Sequence, residues 1–360
     1  MGHTNTENQQ LAWVNLAKAV CIVLVVVMHC ENHFLQAKWI EGGWIFEQWH
    51  MLNETIRPLR MPMFFLVSGL LASSSILEPR ADTERKRLLR PLYLYVVWGV
   101  ILQALIPVLP EQTFFNWSED NSLLAILLVA VAAWYMVALA VYYIFTRLTL
   151  GLPLWLVLGG CAVLSALAAF YETSLAGHQH KILRCAIFFV AGVRMKSLVL
   201  AYASSATVRR ALTLLSLYLP GALICASLGT FFLIVDMLAV ALGITLAAIA
   251  VQKAKALASV ASWLGNRTLG IYLIHFLWLE MTLIALQSGA VSQLVGSFWL
   301  GMIYPLIVAA VIIPASIVTR DLLTKVGAWW LFDYPWERIN DPESGALSTA
   351  LHDPAILKRV

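Results

Sequence analysis

Charge is scarce in this sequence: Asp, Glu, Lys and Arg make up 12% of its 360 residues, about half the share of a soluble domain. That deficit excludes an ordinary water-soluble fold. The net charge of +4 is too small and too scattered for a nucleic-acid-binding footprint. Cysteine is sparse as well. Cys21, Cys30, Cys161, Cys185 and Cys225 stand singly within or beside apolar runs, without the paired spacing of zinc sites or secreted disulfide frameworks, and read as packing residues. The first ten residues contain no Lys or Arg, and no small-x-small site follows the apolar run from Leu11 to Cys30. That run is therefore expected to be a retained helix, not a cleaved signal. No internal repeat is visible and no polar linker divides two apolar blocks, so one membrane domain is expected.

What the sequence has in quantity is apolar length. Hydrophobic residues make up 61% of it, mean hydropathy is +0.79, and the runs reach the roughly 20 residues that cross a hydrocarbon core of about 30 Å. Hydropathy, punctuated by Pro, Gly and charge, predicts an all-α polytopic bundle of about ten transmembrane helices: 11 to 30, 59 to 77, 91 to 109, 123 to 145, 152 to 171, 182 to 201, 211 to 228, 231 to 251, 268 to 286 and 296 to 318. A single helix from 211 to 251 would be about 60 Å long, so a break at Gly229-Thr230 is expected. One set of alternate loops holds Arg80, Arg85, Lys86, Arg87 and Arg90, then Arg147, then Arg194, Lys196, Arg209 and Arg210, then Lys253, Lys255 and Arg267, then Arg320 and Lys325. By the positive-inside rule that side is cytoplasmic and both termini lie inside. Trp329, Trp330 and Trp336 suit an interfacial segment, and the polar remainder from Asn340 is expected to be mobile.

Ionisable groups inside spans are costly, which makes each a functional candidate. Lys18 and His29 lie eleven residues apart, a spacing that returns to within about 20° of one helix face, about 16 Å along the axis. They line one polar path, or they mark the two membrane interfaces. Arg57 and Arg60 follow at i, i+3, suited to a phosphate or carboxylate clamp or to interfacial anchoring. Between Pro62 and Gly69 the backbone has room to be irregular if it lines a cavity. Tyr272 and His275 share another helix face, with Glu280 beyond them and Asp236 isolated in the 231-to-251 span. His178 and His180 form an H-x-H without a third ligand, and His29 with His33 has helical spacing only, so no metal site is assigned.

These stretches, in this order, resemble the membrane-bound acyltransferase family 3, which includes O-acetyltransferases of bacterial surface polysaccharides. Lys18 and His29 are similar to its Arg/Lys-x10-His. Arg57 and Arg60 followed by Phe64-Phe65-Leu66-Val67-Ser68-Gly69 are similar to its R-x-x-R and FF-x-x-SG, and Leu264-Gly265 through Ile271-Tyr272-Leu273-Ile274-His275 to its late LG…IYLIH. Trp134-Tyr135 is similar to a recurring W-F/Y pair. The chain departs from the pattern at Asn15, Lys18 and Ala19, where an acid, Arg and Gly are commoner, and Lys18 lacks the planar fork of Arg. Nearly the whole chain is covered, as a membrane domain over 1 to 340 with a tail over 341 to 360.

The resemblance implies transfer of an acyl group, acetyl foremost, from acyl-CoA to a hydroxyl of a glycan or lipid-linked sugar, with no bound cofactor, in the bacterial inner membrane among its lipids. It implies His29 as the catalytic residue. Lys18, Arg57, Arg60, Ser68, Trp134, Tyr135, Tyr272 and His275 are implied as substrate- or donor-binding. A neutral imidazole suits a general base; an acyl-histidine is the other version. The cations of Arg85-Lys86-Arg87-Leu88-Leu89-Arg90 suit attraction of anionic CoA, or lipid anchoring. A transporter or flippase of an anionic glycolipid is the rival reading, since such a bundle with intramembrane charges would look alike in composition.

Overall fold

A computed structural model describes residues 2–36, 44–79, 81–105, 133–171, 178–286 and 298–335. Among them the regular structure is helix throughout: α1 (Gly2–Gln36), α2 (Trp44–Leu77), α3 (Ala81–Leu105), α4 (Trp134–Leu148), α5 (Leu154–Phe170), α6 (Gln179–Arg194), α7 (Lys196–Ser204), α8 (Val208–Leu228), α9 (Leu233–Lys253), α10 (Lys255–Gly265), α11 (Thr268–Leu286) and α12 (Phe298–Lys325). A 3₁₀ turn, Ala328–Leu331, follows α12. The protein is an all-α membrane bundle, as its hydropathy predicts.

A helix falls within every one of the ten expected spans, and among the described residues six stretches are long and apolar enough to cross a membrane: Ala12–Asn32, Glu47–Leu77, Thr83–Leu105, Val208–Leu228, Leu233–Lys253 and Met302–Lys325. A seventh forms if α6 and α7 are taken together, but they are bent by 83° where a single helix over 182 to 201 is expected. The side chain of Arg194 binds the Thr149 and Leu152 carbonyls, tying the end of α6 to the α4–α5 turn, and the backbone of Met195 leaves the helical region. The first part of the expected 123-to-145 span and the tail after residue 335 lie outside the described residues.

Chain breaks have local causes. Thr207 caps α8 by accepting the Arg210 N–H at 3.3 Å, and Gly229 ends it at φ +61°, a left-handed cap that Gly adopts without a Cβ clash. Thr230 N–H then reaches back to the Cys225 carbonyl. α2 behaves differently from expectation. It runs as one helix through Pro58 and Pro62, so the stretch between Pro62 and Gly69 is regular. Proline in a spanning helix is tolerated where neighbours satisfy the freed backbone groups, and here α2 is held along its length by α1, α6, α8 and α9.

Among the described residues α2 and α6 cross at very close range. A Cβ added at Gly69 would fall on the Phe189 carbonyl oxygen, and one added at Gly192 on the Leu66 carbonyl oxygen. Two facing glycines let the backbones approach in the manner of small-residue membrane interfaces. α1 is central and touches α2, α9, α10, α11 and α12. Its Val14, Ile22, Val26 and Cys30 are buried with Phe65, Phe189, Ile271, Ile274 and Ile312 in one core. Opposite that core, α8 exposes Leu212, Leu215, Leu219, Leu223 and Ile224, the apolar outer face of a helix solvated by lipid.

Candidate active site

Between α2, α3, α4 and α11 lies a cavity of about 430 Å³. Its lining combines charged, apolar and hydroxylic side chains. Lys86, Arg87 and Arg90 stand at one end on the first turns of α3, and Leu71, Ala72, Leu94 and Leu139 line the walls. Ser68, Tyr135 and Tyr272 meet inside. Arg87 is anchored by a bond to the Leu71 carbonyl at 3.0 Å. Arg90 binds the Phe332 carbonyl at 3.2 Å and the Asp333 carboxylate at 3.1 Å, so the segment after α12 docks on α3 beside the mouth. Trp98 adds a bond to the Leu331 carbonyl.

The inner end is a connected set of hydroxyls and rings. Ser68 Oγ lies 2.8 Å from the Phe64 carbonyl and 2.7 Å from the Tyr135 hydroxyl. A carbonyl only accepts, so the single Ser68 proton goes to Phe64 and the Tyr135 phenol donates to Ser68. Tyr135 N–H in turn donates to the Tyr272 hydroxyl oxygen at 3.3 Å, and the two phenol rings meet edge to face at 5.5 Å. One helical turn past Tyr272 is His275, ring centroids 6.1 Å apart. His275 lies 5.3 Å from His29, and Phe276 packs on both imidazoles at 4.7 and 4.1 Å. His29, Tyr272, His275, Tyr135 and Ser68 are thus brought together by α1, α2, α4 and α11.

The other expected residues lie around this set. Lys18 is half-buried on the part of α1 where Arg87 is the neighbouring cation, toward the cavity mouth. His29, at the other end of α1, is in the field of Arg60, Lys181 and His178 as well as His275. Trp134 stacks on His178 at 5.6 Å and lies under Lys181 at 5.8 Å. Arg57 and Arg60 do not converge on one point. Arg57 binds Glu54 at 2.9 Å and the Thr230 carbonyl at 2.7 Å. Arg60 is buried and donates to Asn53 at 3.2 Å, and Asn53 donates to the buried carboxylate of Glu31 at 2.9 Å. The network Glu31–Asn53–Arg60 was not expected from spacing, although an Asn seven residues before Arg60 returns to about the same helix face.

Asp236 finds a partner in Arg184, whose Nε and Nη2 reach its two carboxylate oxygens at 2.7 and 2.5 Å. The guanidinium also covers the Phe231 ring at 3.9 Å. This buried ion pair joins α6 to α9 and accounts for Asp236 structurally. Glu280 is buried in α11, away from the cavity lining. Among the described residues no three His, Cys, Asp or Glu side chains are grouped to hold a metal ion.

A multi-helix membrane bundle with an internal polar site, open at a cationic mouth and backed by a histidine pair, is the class of protein that fold and site define. Residues 11–320 match the family model described as an acyltransferase domain, and the chain belongs to that family, the membrane-bound acyltransferase family 3. It is 24% identical over 350 residues to the inner membrane protein YcfT of Escherichia coli (strain K12), covering 91% of this chain and 97% of that one. No solved structure matches it. The protein is accordingly a multi-pass inner-membrane protein of an acyltransferase family.

Proposed function

We propose that the protein moves an acyl group, acetyl foremost, from cytosolic acyl-CoA to a hydroxyl of a glycan or lipid-linked sugar. The cavity carries this reading. Lys86, Arg87 and Arg90 at its mouth match the phosphates of CoA, which cationic side chains attract and bind with charge-assisted hydrogen bonds. The apolar walls suit the pantetheine arm. The thioester then comes to rest at Ser68, Tyr135 and Tyr272, with His29 and His275 one side-chain layer further on.

In this mechanism His29 takes the proton of the acceptor hydroxyl as the oxygen attacks the thioester carbonyl. Tyr135 turns its hydroxyl from Ser68 to the developing oxyanion. Collapse breaks the C–S bond, and the proton on His29 passes to the departing thiolate, leaving an ester and free CoA. Arg60, Trp134 and Lys181, on the far side of His29, are assigned to the acceptor, and Lys18 to the donor path. No bound cofactor takes part.

The test is incubation of purified protein with radiolabelled acetyl-CoA and membrane extract. Label is expected in a glycan or lipid fraction together with CoA release. Absence of both from active-concentration preparations would remove the acyltransfer reading.

A further inference from the structure

We propose that His275 is a positioning residue for His29: its Nε2 accepts the N–H that His29 presents, aims the other nitrogen of His29 at the acceptor hydroxyl, and stabilises the imidazolium once the proton has moved. The proposal rests on the acyltransfer reading above. It deepens that reading by giving the catalytic histidine an orienting partner that is itself a histidine.

Tautomer comes first. His275 Nδ1 lies 3.0 Å from the Ile271 carbonyl on its own helix. A carbonyl cannot donate, so Nδ1 carries the hydrogen and Nε2 carries the lone pair. His275 is fully buried, and its Nε2 has no hydrogen-bond partner among the described residues. A buried acceptor left without a donor is costly, and among the described residues His29 is the nearest imidazole that can supply one.

Distance comes second. The His29 and His275 ring centroids are 5.3 Å apart, with planes tilted by 38°. Subtracting the two ring radii leaves about 3 Å between the nearest ring edges, so a nitrogen of each ring can come within hydrogen-bond length of the other. A small rotation of His29 about its side-chain torsions closes it. Phe276 covers both rings and keeps water from competing for Nε2.

Charge comes third. The field at His29 includes the cations Lys181 and Arg60 and the imidazoles of His275 and His178, and a neutral His275 adds no further charge to it. The orienting role that a carboxylate takes in many catalytic triads falls here to a neutral lone pair. The proton count balances. The hydroxyl O–H bond breaks, an N–H bond forms on His29, His275 keeps the hydrogen bond from His29 and takes no proton, and His29 later gives the proton to the CoA thiolate.

Three variants test it. His275→Phe keeps a ring and removes the acceptor, whereas His275→Gln and His275→Asn keep an acceptor oxygen. For His275→Phe, kcat is expected to fall by about 10²-fold or more, since losing the group that orients a catalytic histidine costs up to about 10⁴-fold. The KM for acetyl-CoA should stay within about twofold. At least one amide variant should recover about tenfold of the lost kcat, with all three proteins unfolding at similar temperatures. A purely structural His275 would give amide and Phe variants alike, and that result overturns the proposal. Independently of turnover, spectra of ¹⁵N-histidine protein, assigned with His29→Gln, should show His275 protonated at Nδ1 and a hydrogen-bonded His29 N–H that disappears in His275→Phe. A His275 protonated at Nε2 also overturns it. If wild-type protein releases no CoA, the acyltransfer reading fails, and the spectra alone decide whether the two imidazoles are paired.

Discussion

Arg184 and Asp236 show what a single residue means once its partner is known. Each is an intramembrane charge, and together they form a bidentate pair that closes α6 on α9. Removing one leaves the other buried and uncompensated, at a cost of about 3–5 kcal/mol. Arg184→Met alone should therefore lower the thermal midpoint sharply in detergent, while Arg184→Met combined with Asp236→Leu should restore much of it; equal losses in the two proteins would break the account. For His29 the expectation is chemical. His29→Gln and His29→Ala should insert at normal abundance yet lose about 10²- to 10⁴-fold in transfer rate, followed as CoA release with acceptor present. Lys18 and His29 were legible as one face of one helix because eleven residues nearly close three turns. The pairing of Arg184 with Asp236 was not, because 52 residues separate them and no spacing rule reaches that far. Arg184 was hidden inside an apolar run that hydropathy reads as a span.

At the scale of elements, the FF-x-x-SG stretch divides its labour. Phe65 packs between Trp134, Tyr135 and Tyr142, Ser68 enters the cavity, and Gly69 admits α6. The resemblance implies a site in this stretch without saying which member is there for packing. Gly69→Val should reduce folded, membrane-inserted protein, because the added atoms meet backbone that cannot move aside. Gly159→Ala, in α5, meets nothing within 4 Å and should be neutral or stabilise by about 0.4–1 kcal/mol. Loss of abundance at both sites alike would show that the α2–α6 approach has no special weight. Gly265 has a similar part, set against the Asn15 backbone where α10 meets α1. α10 itself escaped the sequence reading, because eleven residues are too few to register as a span. Its Leu257, Val260 and Trp263 are exposed along one side, the pattern of a helix lying in the interface.

For the whole molecule, α2 gives the scale. Arg57, bound at the α8–α9 turn, and Ile76, whose carbonyl takes Arg147 at 2.6 Å, are 19 residues apart, about 28 Å of helix and close to the hydrocarbon thickness. A cysteine placed at Gly229 should react with impermeant reagent from outside, and one at Arg85 only from inside. Labelling of both from one face would overturn the orientation read from the loop cations. Arg87→Gln and Lys86→Gln should raise the KM for acetyl-CoA several-fold with little change in kcat, and the difference from wild type should shrink at high salt, where such attraction is screened. The cavity itself could not be read from sequence, since its lining comes from segments far apart in the chain. One consequence follows from where that cavity stops. Among the described residues, the rings of Tyr135, Tyr272, His275, Phe276 and His29 follow one another between its hydroxyl floor and the Trp134–His178 end. A partition of that kind insulates. Vesicles carrying the protein and supplied with acetyl-CoA should hold an imposed pH gradient as long as empty vesicles do, so that an acyl group can change sides while the cell keeps its ion gradients.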